Sequence, residues 1–325
     1  MKAAIVGCGN ISRMHFGAIS EIEDVEIVAV ADIKKERADK KAAEYNAKAY
    51  YDFDEMLNNE EIDSLHICTP HYLHTQMAVK ALEKGINVLI EKPCSVSNEE
   101  VEILRNAQKN SGKQIAVCFQ NRYNSGSIAV KNAIDNKTYG DISSIRAFLT
   151  WNRGKDYYSD DWHGTKEKEC GGVLINQAIH TIDLIQYFGG GCEKVTAHTF
   201  NDHLKGIIEV EDTATVLMKL KDDVPAVLYA TLAYGENSDV IIEIAFSSGI
   251  KLRLEGEKLY KIDENGKFEE ILQKCNKSYV GQTYWGHGHS SLISDWYDCL
   301  KTGRHFEIDA FEGGKAALIV AESYK

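Results

Sequence analysis

Proline is scarce in this chain, three in 325 residues. Two of them, Pro70 and Pro93, stand where successive apolar runs end, so each restricts the residue before it, Thr69 and Lys92, to extended geometry. No Cys-x-x-Cys pair occurs among the eight cysteines, and several fall inside apolar runs such as Ile115 to Phe119. That removes the common zinc and dithiol spacings, and the cysteines read as reduced, buried small hydrophobes of a cytoplasmic protein. No apolar run approaches the roughly 20 residues that span a bilayer, and the first strand begins without a basic-then-apolar leader. Positive charge is in deficit. A net charge of −12 argues against a general nucleic-acid or anionic-membrane surface. Repeats, low-complexity tracts and flexible linkers are also missing, so the length, with 44% hydrophobic residues, predicts two closely apposed domains with full cores.

What is present begins at residues 2–15. The apolar run Ala3 to Val6 stops at Gly7, glycine recurs at Gly9, and an amphipathic segment carrying Ile11, Met14 and Ile19 follows. This predicts strand, tight turn, helix. Gly7 permits the turn, Gly9 lets backbone approach a pyrophosphate, and the N–H groups and dipole of the new helix attract the anion. Ser12 occupies the place of the usual third glycine, which serves helix-to-strand packing rather than phosphate contact. A second apolar strand, Val25 to Val30, ends in Ala31-Asp32, where an acceptor for a ribose hydroxyl is expected. An ordinary turn followed by an N-capping Asp is the plain alternative. Strand and helix then alternate to about residue 120, which predicts a parallel sheet with helices on both faces and ligands at the carboxyl ends of the strands. Those ends carry Thr69-Pro70-His71, Glu91-Lys92-Pro93 and Gln120-Asn121-Arg122-Tyr123.

The remainder is built differently. From Ile142 onward long period-two runs predict a large, mainly antiparallel open-faced sheet, with hairpin turns at Ser248-Gly249 and Asn265-Gly266. One helix is expected at 172–188 and others at about 289–302 and 311–323. The expected division is a Rossmann dinucleotide-binding domain over 1–120 and a substrate-binding and oligomerisation domain over 121–325.

Two places suit chemistry. Lys92 follows a buried strand and is braced by Pro93, although a solvated loop lysine is the bland reading. If 172–188 is one helix, Asn176, His180 and Asp183 fall at i, i+4 and i+7 on one face, so three polar groups point at something. A core histidine satisfied by Asp183 is the alternative there. The pair His287 and His289 has no third ligand at recognisable spacing, so no metal site is expected.

The order Gly7-x-Gly9…His15, Asp32, Thr69-Pro70-x-x-x-His74, Glu91-Lys92-Pro93, Gln120 to Tyr123 and Gly171-Gly172…His180-x-x-Asp183 resembles the Gfo/Idh/MocA oxidoreductases along the whole chain. The resemblance implies NAD- or NADP-dependent hydride transfer at one carbon of a sugar, cyclitol or sugar derivative. It places Gly7, Gly9, Asn10, Ile11, Asp32, Thr69, Pro70, His74, Glu91 and Lys92 at the cofactor. Arg122, Tyr123, Trp162, Asn176 and His180 then fall at the substrate, with Asp183 behind them. Lys92 and His180 are carried over as catalytic candidates. Where inositol dehydrogenase-like members have Asp four residues before the histidine, this chain has Asn176, which removes a carboxylate and leaves that residue an auxiliary role.

The expected reaction has His180 taking the hydroxyl proton as hydride leaves, with Lys92 stabilising the developing alkoxide; the two roles are exchangeable. Asp32 accepts from a 2′-hydroxyl and repels a 2′-phosphate, which favours NAD, while Lys34, Lys35 and Arg37 leave NADP as the alternative. A redox-assisted glycosidase and a non-catalytic dinucleotide sensor are the rival functions. The expected partners are a small polyol or sugar-derivative substrate and a second copy of the chain, as homodimer or homotetramer.

Overall fold

The computed structural model describes residues 1–272 and 288–325. In chain order the first strands and helices are β1 (Lys2–Val6), α1 (Ser12–Ser20), β2 (Glu26–Ala31), α2 (Lys35–Tyr45), β3 (Lys48–Tyr50), α3 (Phe53–Asn59) and β4 (Ser64–Ile67). Next come α4 (His74–Glu83), β5 (Asn87–Ile90), α5 (Asn98–Ser111), β6 (Ile115–Val117), α6 (Ser125–Asp135), β7 (Ile142–Thr150) and α7 (Ile179–Phe188). Seven strands follow: β8 (Cys192–Phe200), β9 (Thr213–Leu220), β10 (Pro225–Thr231), β11 (Ile241–Phe246), β12 (Lys251–Glu255), β13 (Lys258–Ile262) and β14 (Phe268–Leu272). The described chain closes with α8 (Gly288–Thr302) and α9 (Ala310–Ser323).

Two compact units emerge. The first comprises Met1–Gln120 with residues 288–314. Its six strands run parallel in the order β3-β2-β1-β4-β5-β6, so strand order reverses beside β1, where a doubly wound sheet opens its ligand crevice. Fully buried Ala3, Ala4, Ile5, Leu65, Ile67, Val88 and Leu89 account for the near-continuous apolar runs of the central strands. α8 packs on α1, and Val117 donates its N–H to Ile308 at 2.8 Å, so residues remote in sequence complete this unit.

The second unit comprises residues 121–272 with Lys315–Lys325. Eight strands form one sheet, β14-β13-β12-β11-β7-β10-β9-β8, antiparallel except for the β7–β10 pair. Alternation sends Ala147, Leu149, Val216, Met218, Leu228 and Ile244 into the core and leaves Phe148, Leu217 and Tyr229 on the exposed face. Gly249 and Gly266 take the left-handed φ values of +84° and +81° that their hairpin turns require.

Three elements depart from expectation. α6 and β14 form where neither was anticipated, and the helix expected over 172–188 covers only Ile179–Phe188. Residues 173–178 are turns: Val173 and Leu174 donate to Glu211 from far along the chain, whereas Asn176 donates to the Gly172 carbonyl and Gln177 and Ala178 to that of Val173. Gly172 and Leu174 donate to the Glu211 carboxylate, each at 2.9 Å, and Val173 donates to the Glu211 carbonyl at 3.0 Å. Asn176 therefore does not share a helix face with His180 and Asp183.

Candidate functional site

In the first unit, Gly7 ends β1 with φ +86°, and a Cβ there would lie 2.5 Å from the Cys68 carbonyl oxygen, so only glycine fits between the two strand ends. At Gly9 a Cβ would meet nothing within 4 Å, which leaves room for a ligand against the backbone. Asn10 is exposed, and Ile11 stands at the N-terminus of α1 with no side-chain cap on the helix donors. Ser12 is fully buried, and its hydroxyl donates to the Gly9 carbonyl at 2.7 Å, tying the turn to the helix. Asp32 leaves β2 and accepts from the Cys8 amide and the Lys34 amide, both at 2.8 Å, so its carboxylate is fixed beside the glycine turn while staying partly exposed. These features fit a dinucleotide pyrophosphate at the helix N-terminus and a ribose at Asp32.

At the next strand ends the polar residues divide by role. Thr69 and Pro70 are half-buried after β4, and Lys92 is half-buried after β5, joined to Pro93 by a cis peptide bond. His74 is buried between the two loops; its ring nitrogens lie 2.6 Å from the Pro93 carbonyl and 2.7 Å from the Thr69 carbonyl, and the single N–H of the neutral ring donates to one of them. Burial lowers its pKa, and both carbonyl partners oppose that. Glu91 is also buried: one carboxylate oxygen lies 3.0 Å from His15 Nε2 and 3.7 Å from His289 Nε2. Burial pushes the Glu91 carboxyl up, but the two imidazoles outweigh it and hold the group ionised, well below the ordinary value. Of the histidine pair considered as a metal site, His289 joins this buried cluster and His287 lies outside the described residues.

In the second unit, Arg122 and Asp183 form a buried two-pronged ion pair at 2.8 and 2.6 Å, and the guanidinium also covers the Tyr187 ring. Asp183 thus has a structural partner in Arg122 and also accepts from Gln186 Nε2 at 3.3 Å. His180, in the first turn of α7, is half-buried, and Asn176, in the preceding turn, is buried and donates to the buried Glu169 carboxylate. Tyr157 Oη lies 3.4 Å from the amide nitrogens of both Asn176 and Gln177. The Tyr157 ring packs against His163 at 5.1 Å, and the Trp162 ring against His163 at 3.7 Å, so aromatic surface gathers near the turn in sequence and space. Tyr123 is half-buried in the short turn before α6.

Sequence reasoning passed over Glu169, Glu211 and Tyr324, which shape this turn. Tyr324 donates to Glu211 at 2.8 Å from 113 residues away, and a Cβ on Gly172 would lie 1.9 Å from the Glu211 carbonyl oxygen, which requires glycine there. No local pattern marks those residues. His66 is different: a polar residue inside the apolar strand β4 signals a buried partner.

Comparison with known proteins follows this division. Residues 1–119 match the model described as "Oxidoreductase family, NAD-binding Rossmann fold", and residues 128–250 match the GFO/IDH/MocA C-terminal domain. Glucose-6-phosphate 3-dehydrogenase of Bacillus subtilis is 32% identical over 190 residues, 57% of this chain and 53% of that protein. The chain spans between half and three fifths of the first curated relatives it matches. The WlbA dehydrogenase of Bordetella pertussis, solved with NADH and UDP-GlcNAcA, is similar over 100% of this chain and 95% of its own, with a TM-score of 0.86 and 27% identity. Levoglucosan dehydrogenase, solved with NADH and levoglucosan, shares the fold at a TM-score of 0.88, with 20% identity over 100% of this chain and 97% of its own.

Proposed function

Because this chain belongs to the Gfo/Idh/MocA family, we propose that it is an NAD-dependent dehydrogenase acting on a secondary alcohol of a sugar, cyclitol or sugar derivative. One observation carries the reading: the glycine turn, with open space at Gly9 and Asp32 fixed beside it, occurs in the same chain as Lys92 and His180. When bound, the nicotinamide supplies the hydride acceptor. Gly7, Gly9, Asn10 and Ile11 hold the pyrophosphate at the start of α1, and Asp32 accepts from the ribose. Thr69 and Pro70 border the same end of the sheet, while His74 and Glu91 fix the backbone that presents Lys92. His180 accepts the hydroxyl proton at an imidazole nitrogen, whose ordinary pKa of about 6.5 suits a base at neutral pH. Lys92 donates to the oxygen as it becomes an alkoxide. Asn176 orients the substrate, since an amide cannot take the proton, and Tyr123 and Trp162 offer ring surface to a polyol. Arg122 contributes through its pair with Asp183. Relatives solved with levoglucosan and UDP-GlcNAcA support a sugar or sugar nucleotide as substrate.

The test is a screen of sugars, cyclitols and uronic-acid derivatives with NAD, following absorbance of the reduced cofactor. Net NADH formation that is lost in both Lys92→Ala and His180→Ala is expected. Cofactor that copurifies and is never released reduced, while a glycoside is cleaved, would replace this reading with the glycosidase.

The same reading extends to assembly and location. Phe148, Leu217 and Tyr229, at 36%, 55% and 38% exposure, line the uncovered face of the large sheet and suit a second copy of the chain in a homodimer or homotetramer. Light scattering that returns 36.4 kDa at micromolar concentration would refute this. Five of the seven described cysteines, Cys8, Cys68, Cys94, Cys118 and Cys299, are buried, which suits the reducing cytoplasm, and no described helix is long and apolar enough to cross a membrane. The net charge of −12 disfavours nucleic acid as a partner.

A further inference from the structure

A series of buried polar groups runs through the first unit to Glu91. At its far side the Trp296 indole nitrogen donates to Ser64 Oγ at 2.9 Å, and Tyr297 is the next residue of α8. Tyr297 Oη is 2.9 Å from His66 Nε2, His66 Nδ1 is 2.9 Å from His15 Nδ1, and His15 Nε2 is 3.0 Å from Glu91 Oε1. Every member is buried.

The Glu91 end fixes the direction, because a carboxylate only accepts. With each imidazole donating once and accepting once, the order is Tyr297 to His66, His66 to His15, His15 to Glu91. The facing Nδ1 atoms of the two rings require that one carries hydrogen and the other does not. This polarity puts it on His66, leaving His15 the Nε2–H form. Burial holds His66 neutral, its pKa well below the ordinary value, as the series demands. The other groups facing the carboxylate are His289 on α8, the Cys68 and Cys118 thiols and Lys92, whose backbone N–H donates to Glu91 Oε2 at 3.2 Å. Lys92 adjoins Glu91 in the chain and is itself half-buried, so the Glu91 charge acts on its ammonium through a partly desolvated medium.

We propose that this one-way chain fixes Glu91 as a buried anionic acceptor and makes Glu91 the positioning residue for Lys92, setting both its backbone and the protonation of its ammonium. The inference rests on the proton-handling role proposed for Lys92, but its test needs no substrate. In the intact wild-type protein, long-range nitrogen–proton NMR of the imidazoles should show His66 as the Nδ1–H tautomer and His15 carrying hydrogen at Nε2. The reverse pairing, or hydrogen on both nitrogens of His66 at neutral pH, overturns the chain. The ligand atoms of His15, Glu91 and Cys118 lie within 4.8 Å of one another, so stoichiometric zinc binding that removes the His15 signal would also overturn it, in favour of a metal site.

The Lys92 ammonium is then titrated by carbon NMR after isotopic dimethylation, in wild type, Glu91→Gln and Tyr297→Phe. A buried charge at this range should lower the Lys92 pKa by about one unit when it is removed in Glu91→Gln. A smaller shift in the same direction is expected in Tyr297→Phe, which deletes one hydroxyl at a distance. An unchanged Lys92 pKa in whichever variant folds overturns the positioning role. Normal turnover in Lys92→Ala would instead sink the functional reading and leave the tautomer result standing.

Discussion

Glu91 in the first unit and Glu211 in the second are both buried carboxylates, each set behind a segment that carries a candidate catalytic side chain, and they are held in opposite ways. Glu91 faces the imidazole N–H groups of His15 and His289, and its pKa falls well below the ordinary carboxylate value. Glu211 faces the backbone amides of Gly172 and Leu174 and the Tyr324 hydroxyl, all neutral, and there burial prevails and its pKa rises. The outcome turns on the kind of donor each carboxylate faces, imidazoles at Glu91 and backbone amides with a phenol at Glu211. One unit spends its polar interior on an electrostatic support under Lys92, the other on a backbone clamp ahead of His180.

The largest expected effect lies at the two supported side chains. Lys92→Ala and His180→Ala should each lower turnover by about 10²- to 10⁴-fold while leaving NAD affinity, measured by fluorescence titration, nearly unchanged. If His180→Ala, folded by circular dichroism, keeps near-normal turnover, the proposed site is wrong and Lys92 must be weighed as sole acid and base.

The carboxylates themselves separate next, in urea melts across pH. Glu91→Gln should cost about 1.5–3 kcal/mol at neutral pH, the scale of a hydrogen bond to a charged group, and Glu211→Gln about 1–3 kcal/mol, the scale for mispairing a buried hydrogen-bonding group. The pH slopes should oppose. Glu91 titrates below its ordinary value in the folded state, so its contribution is present above about 4.5 and fades as pH falls through the depressed folded value. Glu211 titrates above it, so its contribution is full below about 4.5 and declines as pH rises through the raised folded value. The gap between wild type and variant therefore narrows in acid for Glu91→Gln and widens in acid for Glu211→Gln. Parallel slopes would dissolve the contrast.

A third carboxylate sharpens it from outside the core. Asp32 is partly exposed and takes two backbone amides, and Asp32→Ala should reduce the preference for NAD over NADP by about tenfold, the worth of one charged hydrogen bond. Equal or tighter binding of NADP by the wild-type protein would remove its assigned role. The smallest effect is expected at Asn176. Asn176→Ala should cost less turnover than His180→Ala. Asn176→Asp would set a second carboxylate against buried Glu169, so one of the pair must hold a proton and the pH profile of turnover should move. An unmoved profile would detach Asn176 from the chemistry.

Much of the first unit was legible because its signals are local. The apolar runs, the glycine turn and Asp32 lie within residues 2–32, and a parallel sheet needs little beyond such alternation to be recognised. The hairpins at Gly249 and Gly266 were legible for the same reason, since a two-residue turn declares its backbone need in its own residues. Lys92 and His180 stood out through their neighbours in sequence. By itself the sequence determined which segments alternate, where glycine had to turn the chain and which side chains had the chemistry. The tertiary structure alone decided that the helix bearing His180 begins at Ile179, that Arg122 is claimed by Asp183 61 residues away, and that residues 288–314 complete the first unit. Periodicity reports which way side chains face, but not where a residue remote in sequence will hold the turn ahead of a helix. Here Glu211, brought from 39 residues beyond Gly172 by the folded sheet, accepts from Gly172, Val173 and Leu174 and holds that turn.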